Sequence, residues 1–125
     1  MRAHILFRVS LLFCSMELDT MIKLEKVSNL EEALDKNMDK DIDHVLIRHS
    51  YRKGTVIQPH SHHDSDEYVI VSNGHLKISS EGEEKELILD GEKIIVIHYP
   101  PGIEHALEVL SKKLDYFVLR KYVNQ

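Results

Sequence analysis

Three histidines fall within four residues, at His60, His62 and His63, and Asp64, Asp66 and Glu67 follow closely. On an extended strand, residues two apart point to the same side. His60 and His62 therefore aim two imidazoles into one space, and His63 points away from it. Glu67 enters from the next strand after a bend at His63 to Asp66. Two neutral imidazoles and one carboxylate form a recurring donor set for borderline divalent metals. Pro59 locks the backbone dihedral just before His60. An HxH pair alone is common in solvated polar loops, so the weight rests on the residues around it.

Those residues keep a fixed spacing. Gly54, five residues, His60, one residue, His62, four residues, Glu67, six residues and Gly74 follow without a gap. A second string runs from Gly91 to Pro100-Pro101-Gly102, with His105 two residues further on. The first string reproduces the first motif of the cupin superfamily, G-x5-HxH-x4-E-x6-G. The second resembles the PxG-xx-H core of its second motif. The second departs from the family pattern in two places. Eight residues, not five, separate Gly91 from Pro100, which calls for a bulge or a longer loop, and Val109 stands where the family has Asn.

The chain thus resembles the cupins over roughly His44 to Val123. The resemblance implies an all-β jelly-roll barrel of six or eight strands, of the compact single-domain type, with a metal inside. Carried over residue by residue, the ligands are His60, His62, Glu67 and His105. The implied cofactor is a divalent ion: Fe, Zn, Mn or Ni. Three imidazoles and one carboxylate leave one or two coordination positions open, as a catalytic site requires. The first expectation is therefore a metal-dependent enzyme of oxygenase or isomerase type acting on a small molecule. A second is a non-catalytic cupin that binds or senses a small molecule or sugar. A third is a sugar-nucleotide epimerase or ketoisomerase-like cupin, against which the intact four-ligand set argues. Fold alone does not choose among them.

The elements that must position these residues are legible in outline. IKLEKV after Met21 reads as a short strand. Ser28-Asn29-Leu30-Glu31 is a capping-box pattern, with the Ser28 hydroxyl and Glu31 carboxylate at a helix start. Leu30, Ala33 and Leu34 share one face of about two helical turns. Asn37 to Asp43 reads as a loop. From His44 onward, HVLIRHSY, TVIQPH, EYVIVSN, HLKISS, KELILD, KIIVIHY and DYFVLRKYV are short β runs separated by turn-forming groups. Asn73-Gly74 is the strongest tight-hairpin signal among them. In EYVIVSN, Glu67, Val69 and Val71 share one face, and Tyr68 and Ile70 the other.

The remaining candidates carry weaker expectations. His98 is either a pocket-lining proton relay or a surface residue, and Glu104 is a second relay candidate. Tyr99 and Gln58 are candidates for the pocket mouth. Asp64 and Asp66 cap the loop beside the ligands. His44, His49 and His75 are solvent-facing or satisfied by neighbours. Tyr116, Phe117 and Tyr122 read as core or dimer contacts.

Composition narrows the class. The chain has 125 residues, room for one domain. Its net charge of −5, with both signs interspersed, offers no basic surface for nucleic acid. No stretch approaches the length of a membrane span. A lone Cys14 cannot form an intrachain disulfide, so nothing points to an oxidising compartment and a cytoplasmic location is expected. Residues 1–20 loosely resemble a signal peptide, but Arg8 splits the apolar run and no small-x-small site follows. We read them as an extension outside the core or a miscalled start with Met21 as the true first residue, dispensable for metal binding, with residues 21–125 as the barrel; an N-terminal strand that pairs with a partner subunit is the alternative. Strands apolar on both faces lead us to expect a homodimer.

Overall fold

The computed structural model describes residues 6–8, 23–38 and 43–123. Among these residues, eight strands and one helix follow in the order β1 (Leu6–Arg8), β2 (Lys23–Val27), α1 (Leu30–Asn37), β3 (His44–Arg52), β4 (Val56–His60), β5 (Ser65–Ser80), β6 (Glu83–Tyr99), β7 (His105–Val109) and β8 (Lys113–Tyr122).

Two long strands organise the rest. β5 and β6 pair antiparallel along their whole length, joined by a turn at Glu81-Gly82 where both residues have positive φ. The first half of β5 pairs on its other side with β8, from Ser65 to Ile70, and its second half pairs with β7, from Leu76 to Ser80. β6 divides in the same way, pairing with β2 through Ile94 to His98 and with β1 through Glu86 to Ile88. β3 extends one half through β8, and β4 extends the other through β7. Two sheets therefore share β5 and β6 and fold over one another, a jelly roll closed at a corner.

That corner corrects the expectation of a hairpin at Asn73-Gly74. The chain runs straight through this dipeptide within β5. A step of two residues on β5, Val71 to Asn73, faces a step of five on β6, Ile95 to Asp90. Positive φ is used here to bend a strand, not to reverse it. The same bulge takes up the three extra residues between Gly91 and Pro100.

The strand faces divide the apolar residues. Val69, Val71, Leu76, Ile78, Leu87, Ile95, Ile97 and Val118 fill the space between the sheets. Tyr68, Ile70, Val96 and Leu119 face outward and are covered by α1 through Ala33, with Leu30 and Leu34 packed beside them. The outward apolar face is thus partly buried by the chain's own helix. Val109, where the family motif has Asn, is fully buried in the core. Its backbone ties β7 to the β3–β4 turn, accepting from the Gly54 N–H at 2.9 Å and donating to the Thr55 carbonyl at 2.9 Å.

The helix begins one residue later than the capping pattern suggested. Asn29 is the N-cap, its side chain accepting from the Glu32 N–H at 2.8 Å, while Glu32 accepts from the Ser28 N–H at 2.9 Å. Starting at Leu30 turns Ala33 onto the sheet, and that packing sets the register. Asn37 belongs to the helix, not to the loop, and residues 39–42 lie outside the described residues. The strand Leu6–Arg8 pairs parallel with β6 of the same chain; the rest of residues 1–20 lies outside the described residues.

Candidate metal centre

His60 ends β4 beside a bulge. The β4–β7 register slips between Ile57 and His60, at the Pro59 that cannot donate to the ladder. The slip brings His60 opposite His105 at the start of β7, with ring centroids 4.4 Å apart. His62 lies in the loop to β5, and the Gly102 N–H donates to its carbonyl at 2.9 Å, tying the Pro-Pro-Gly turn to the histidine loop. Glu67 opens β5 from the opposite sheet.

The four residues converge. One donor atom from each of His60, His62, Glu67 and His105 lies within 4.8 Å of the others, a group capable of holding a metal ion. Two of the rings are set for that role. The Nδ1 atoms of His60 and His105 lie 2.8 Å and 2.9 Å from the carbonyls of Gln58 and Ile103. A carbonyl accepts only, so each Nδ1 carries the proton and each Nε2 offers its lone pair to the centre. The Nε2 of His105 is buried without a hydrogen-bond partner. It lies 3.3 Å from a Glu67 oxygen, itself an acceptor, and makes no hydrogen bond to it. Such an orphaned acceptor costs about 1–3 kcal/mol unless something fills the site. The donor set, the tautomers of His60 and His105 and the orphaned atom fit a metal.

Other neighbours shape the site. Tyr99 is buried and stacks on His105, with centroids 4.1 Å apart and planes 8° from parallel. It is therefore a wall beneath the centre and not a group at its mouth. Burial, reinforced by the charge of Glu67, raises its pKa and keeps it protonated. Gln58 meets the site through its carbonyl, while its side chain is exposed.

The relay candidates lie elsewhere. His98 sits opposite Tyr68 in the β5–β6 ladder, on the face away from Glu67. It stacks on the Tyr68 ring at 4.4 Å, and its Nε2 lies 2.7 Å from Asp66. Alternation puts it outside the barrel, so it does not line the pocket, and Asp66 holds it there without capping the ligand loop. Glu104 is exposed, and its backbone N–H donates to Glu81. His63 is exposed and outside the four-residue group. His75 pairs with Glu86, and His49 lies 3.0 Å from the Tyr51 hydroxyl.

Sequence reasoning missed Arg120. It stands directly opposite Glu67 across the β5–β8 ladder and so shares its inward face. Its guanidinium donates to His62 Nδ1 at 3.2 Å and to Ser65 Oγ at 3.3 Å. The alternation Leu114, Tyr116, Val118, Arg120 was a usable signal for an inward side chain, but the β5–β8 register that sets it beside Glu67 is not local.

Burial lowers the pKa of His62, and the charge of Arg120 lowers it further. Burial pushes Glu67 up, but the histidines around it, His105 foremost, bring it below its ordinary value. Both groups therefore bind a proton less readily folded than unfolded. Their contribution to stability is present at neutral pH and is lost as pH falls. The loss begins below the ordinary values of 6.5 for His62 and 4.5 for Glu67. The metal-free protein is expected to unfold at steadily lower temperature as pH drops through this window. A calorimetric midpoint that stays level or rises would contradict these shifts.

No protein-family model matches the chain, and no curated protein matches it at a significant level. Solved structures do. KdgF from a Halomonas species is 18% identical, with a TM-score of 0.55 over 86% of this chain and 85% of that one. A predicted oxalate decarboxylase from Thermotoga maritima is 18% identical, with a TM-score of 0.55 over 82% and 84%. An RmlC-like cupin from Shewanella frigidimarina is 16% identical, with a TM-score of 0.53 over 66% and 68%. The fold is the cupin fold. At these identities the likeness speaks for the cupin architecture and leaves the chemistry to the site. Among the described residues no helix is long and apolar enough to cross a membrane.

Proposed function

We propose that this cupin is a metal-dependent enzyme acting on a small molecule, with a divalent ion (Fe, Zn, Mn or Ni) held by His60, His62, Glu67 and His105. The observation that carries the proposal is the buried, partnerless Nε2 of His105, facing three further donors. The bound ion would supply Lewis-acid polarisation and, if it is iron, a place for O2 beside the substrate. The chain's own residues do the positioning. The Gln58 and Ile103 carbonyls orient His60 and His105, and Tyr99 backs His105 with a flat, protonated wall. Four protein donors leave positions open for substrate, which favours catalysis over a closed structural site.

Elemental analysis of the purified protein, followed by O2 uptake over a panel of small substrates, tests this. Stoichiometric iron with substrate-dependent uptake supports an oxygenase, and Zn, Mn or Ni with turnover of a panel member supports an isomerase. A tightly held metal with no turnover overturns the enzyme and favours the binding module. Absence of metal overturns the centre itself.

We also propose a homodimer, in the cytoplasm as the lone Cys14 suggests. Leu46 and Ile47 on β3 are 40% and 39% exposed, and β3 pairs with β8 alone among the described strands. An edge strand with apolar side chains invites a second copy. Sedimentation at micromolar concentration is expected to show a dimer, and a monomer there refutes it.

A further inference from the structure

We propose that Arg120 anchors a carboxylate of the molecule this site receives, so that the substrate is a small carboxylic acid. The proposal rests on the metal centre described above and adds the substrate class to it.

Arg120 lies one imidazole ring away from the converging donor atoms. Its NH2 group touches Nδ1 of His62, and Nε2 of the same ring lies 3.1 Å from Glu67. Its side chain is partly buried, and the ring of Tyr122 lies 5.4 Å from its charge. Among the described residues the one carboxylate within 4 Å is that of Asp64, at 3.8 Å and half exposed. A guanidinium carries five N–H donors. The bonds to His62 and Ser65 use two of them.

The bond to His62 is also the one a metal would disturb. Arg120 can only donate, so Nδ1 of His62 accepts and the ring proton sits on Nε2, beside Glu67. This is the reverse of His60 and His105. Once Nε2 of His62 is given to a metal, its proton must sit on Nδ1, and the contact with Arg120 becomes donor against donor. Metal binding thus frees the N–H that pointed at His62, while the bond to Ser65 still holds the guanidinium at the edge of the centre.

Charge then selects what it meets. A divalent ion and Arg120 face two carboxylates, the buried Glu67 and the half-exposed Asp64, with neutral imidazoles around them. The inner end of the barrel keeps a positive excess, since Asp64 is half exposed and screened by solvent, and in a partly desolvated site that favours an anionic ligand. Lys121, next in sequence, points to the outer face, 4.9 Å from the Tyr68 ring. A single planar fork remains, and its geometry matches the two oxygens of a carboxylate. A molecule with one carboxylate on Arg120 and a second oxygen on the metal would be held at two points.

The test uses the full chain loaded with zinc, which is redox-inert. Calorimetric titrations with malonate, inorganic phosphate and imidazole are compared in the wild type, Arg120→Gln and Arg120→Lys, with zinc content measured on each. We expect malonate to bind the wild type and to weaken at least about tenfold in Arg120→Gln, with a smaller loss in Arg120→Lys. Imidazole, a neutral metal ligand, is expected to bind all three alike. Malonate binding within about twofold in Arg120→Gln would overturn the proposal. So would a parallel loss of zinc or imidazole, which would make Arg120 a structural support. Phosphate binding tighter than malonate would overturn the carboxylate assignment. A wild type that holds no zinc, nor any other metal as purified, refutes the metal centre as well, and that outcome is distinct from the others.

Discussion

Alanine in place of His62 is expected to strip the protein of metal, and alanine in place of His63 is expected to leave its metal content unchanged. The two positions are adjacent and chemically identical. They differ in where the backbone aims them. His62 contributes a donor atom to the four-residue group, whereas His63 is exposed outside it. His60→Ala, Glu67→Ala and His105→Ala are expected to behave like His62→Ala. Each removes one bond to the metal, and even the loss of a supporting contact around a metal costs about 10–100-fold in affinity. Metal content after dialysis reads the outcome directly. His60 and His62 are only partly buried, so their alanine variants should fold normally. Equal losses at His62 and His63 would mean that a histidine-rich loop binds metal without the barrel geometry. Equal retention at all four positions would remove the centre altogether.

Gly74→Ala is expected to be among the most destabilising single substitutions in the barrel. Gly74 sits at the corner where β5 passes from β8 to β7, with φ at +128°, a region L side chains rarely adopt. A Cβ there would stand 2.6 Å from Leu114 Cδ1 and 3.2 Å from Ser111 Oγ. Leu114 is itself buried at 1% exposure, so it has little room to withdraw. The backbone strain costs about 1–3 kcal/mol, and forcing a packed core apart costs about 1–3 kcal/mol more. The unfolding midpoint should fall by roughly 8–20 °C. Gly54→Ala tests the cause. Gly54 also has positive φ, but a Cβ there meets nothing within 4 Å. It carries the backbone strain alone and is expected to cost clearly less. Equal losses at the two glycines would mean that the close approach of Leu114 contributes nothing.

The contrast between these glycines shows where local sequence stops. Both belong to the motif spacing that made the fold recognisable. Nothing in the dipeptide Asn73-Gly74 distinguishes a two-residue hairpin from a bend inside one long strand, because positive φ serves both. The choice was made by partners far along the chain. β7 and β8 each pair with one half of β5, and β6 supplies the extra residues of the bulge. The helix shows the same limit on a smaller scale. Ser28 and Asn29 both cap well, and the burial of Ala33 against the sheet decides between them.

The candidate site divides along the same line. Residue type and motif spacing were enough to single out His60, His62 and Glu67, but His62 and His63 lie in the loop after β4, so the loop and not strand alternation sets their different directions. His105 followed from motif spacing alone. What the sequence could not supply was every relation across strands. Opposite pairing places His105 against His60, Tyr99 beneath the centre, His98 on the outer face and Arg120 beside Glu67. Register is a property of two strands at once, and a slip of one residue would reverse each of these assignments. The sequence by itself determined which groups could bind a metal. Tertiary structure decided which charge stands next to them, and the substrate class we propose rests on that charge.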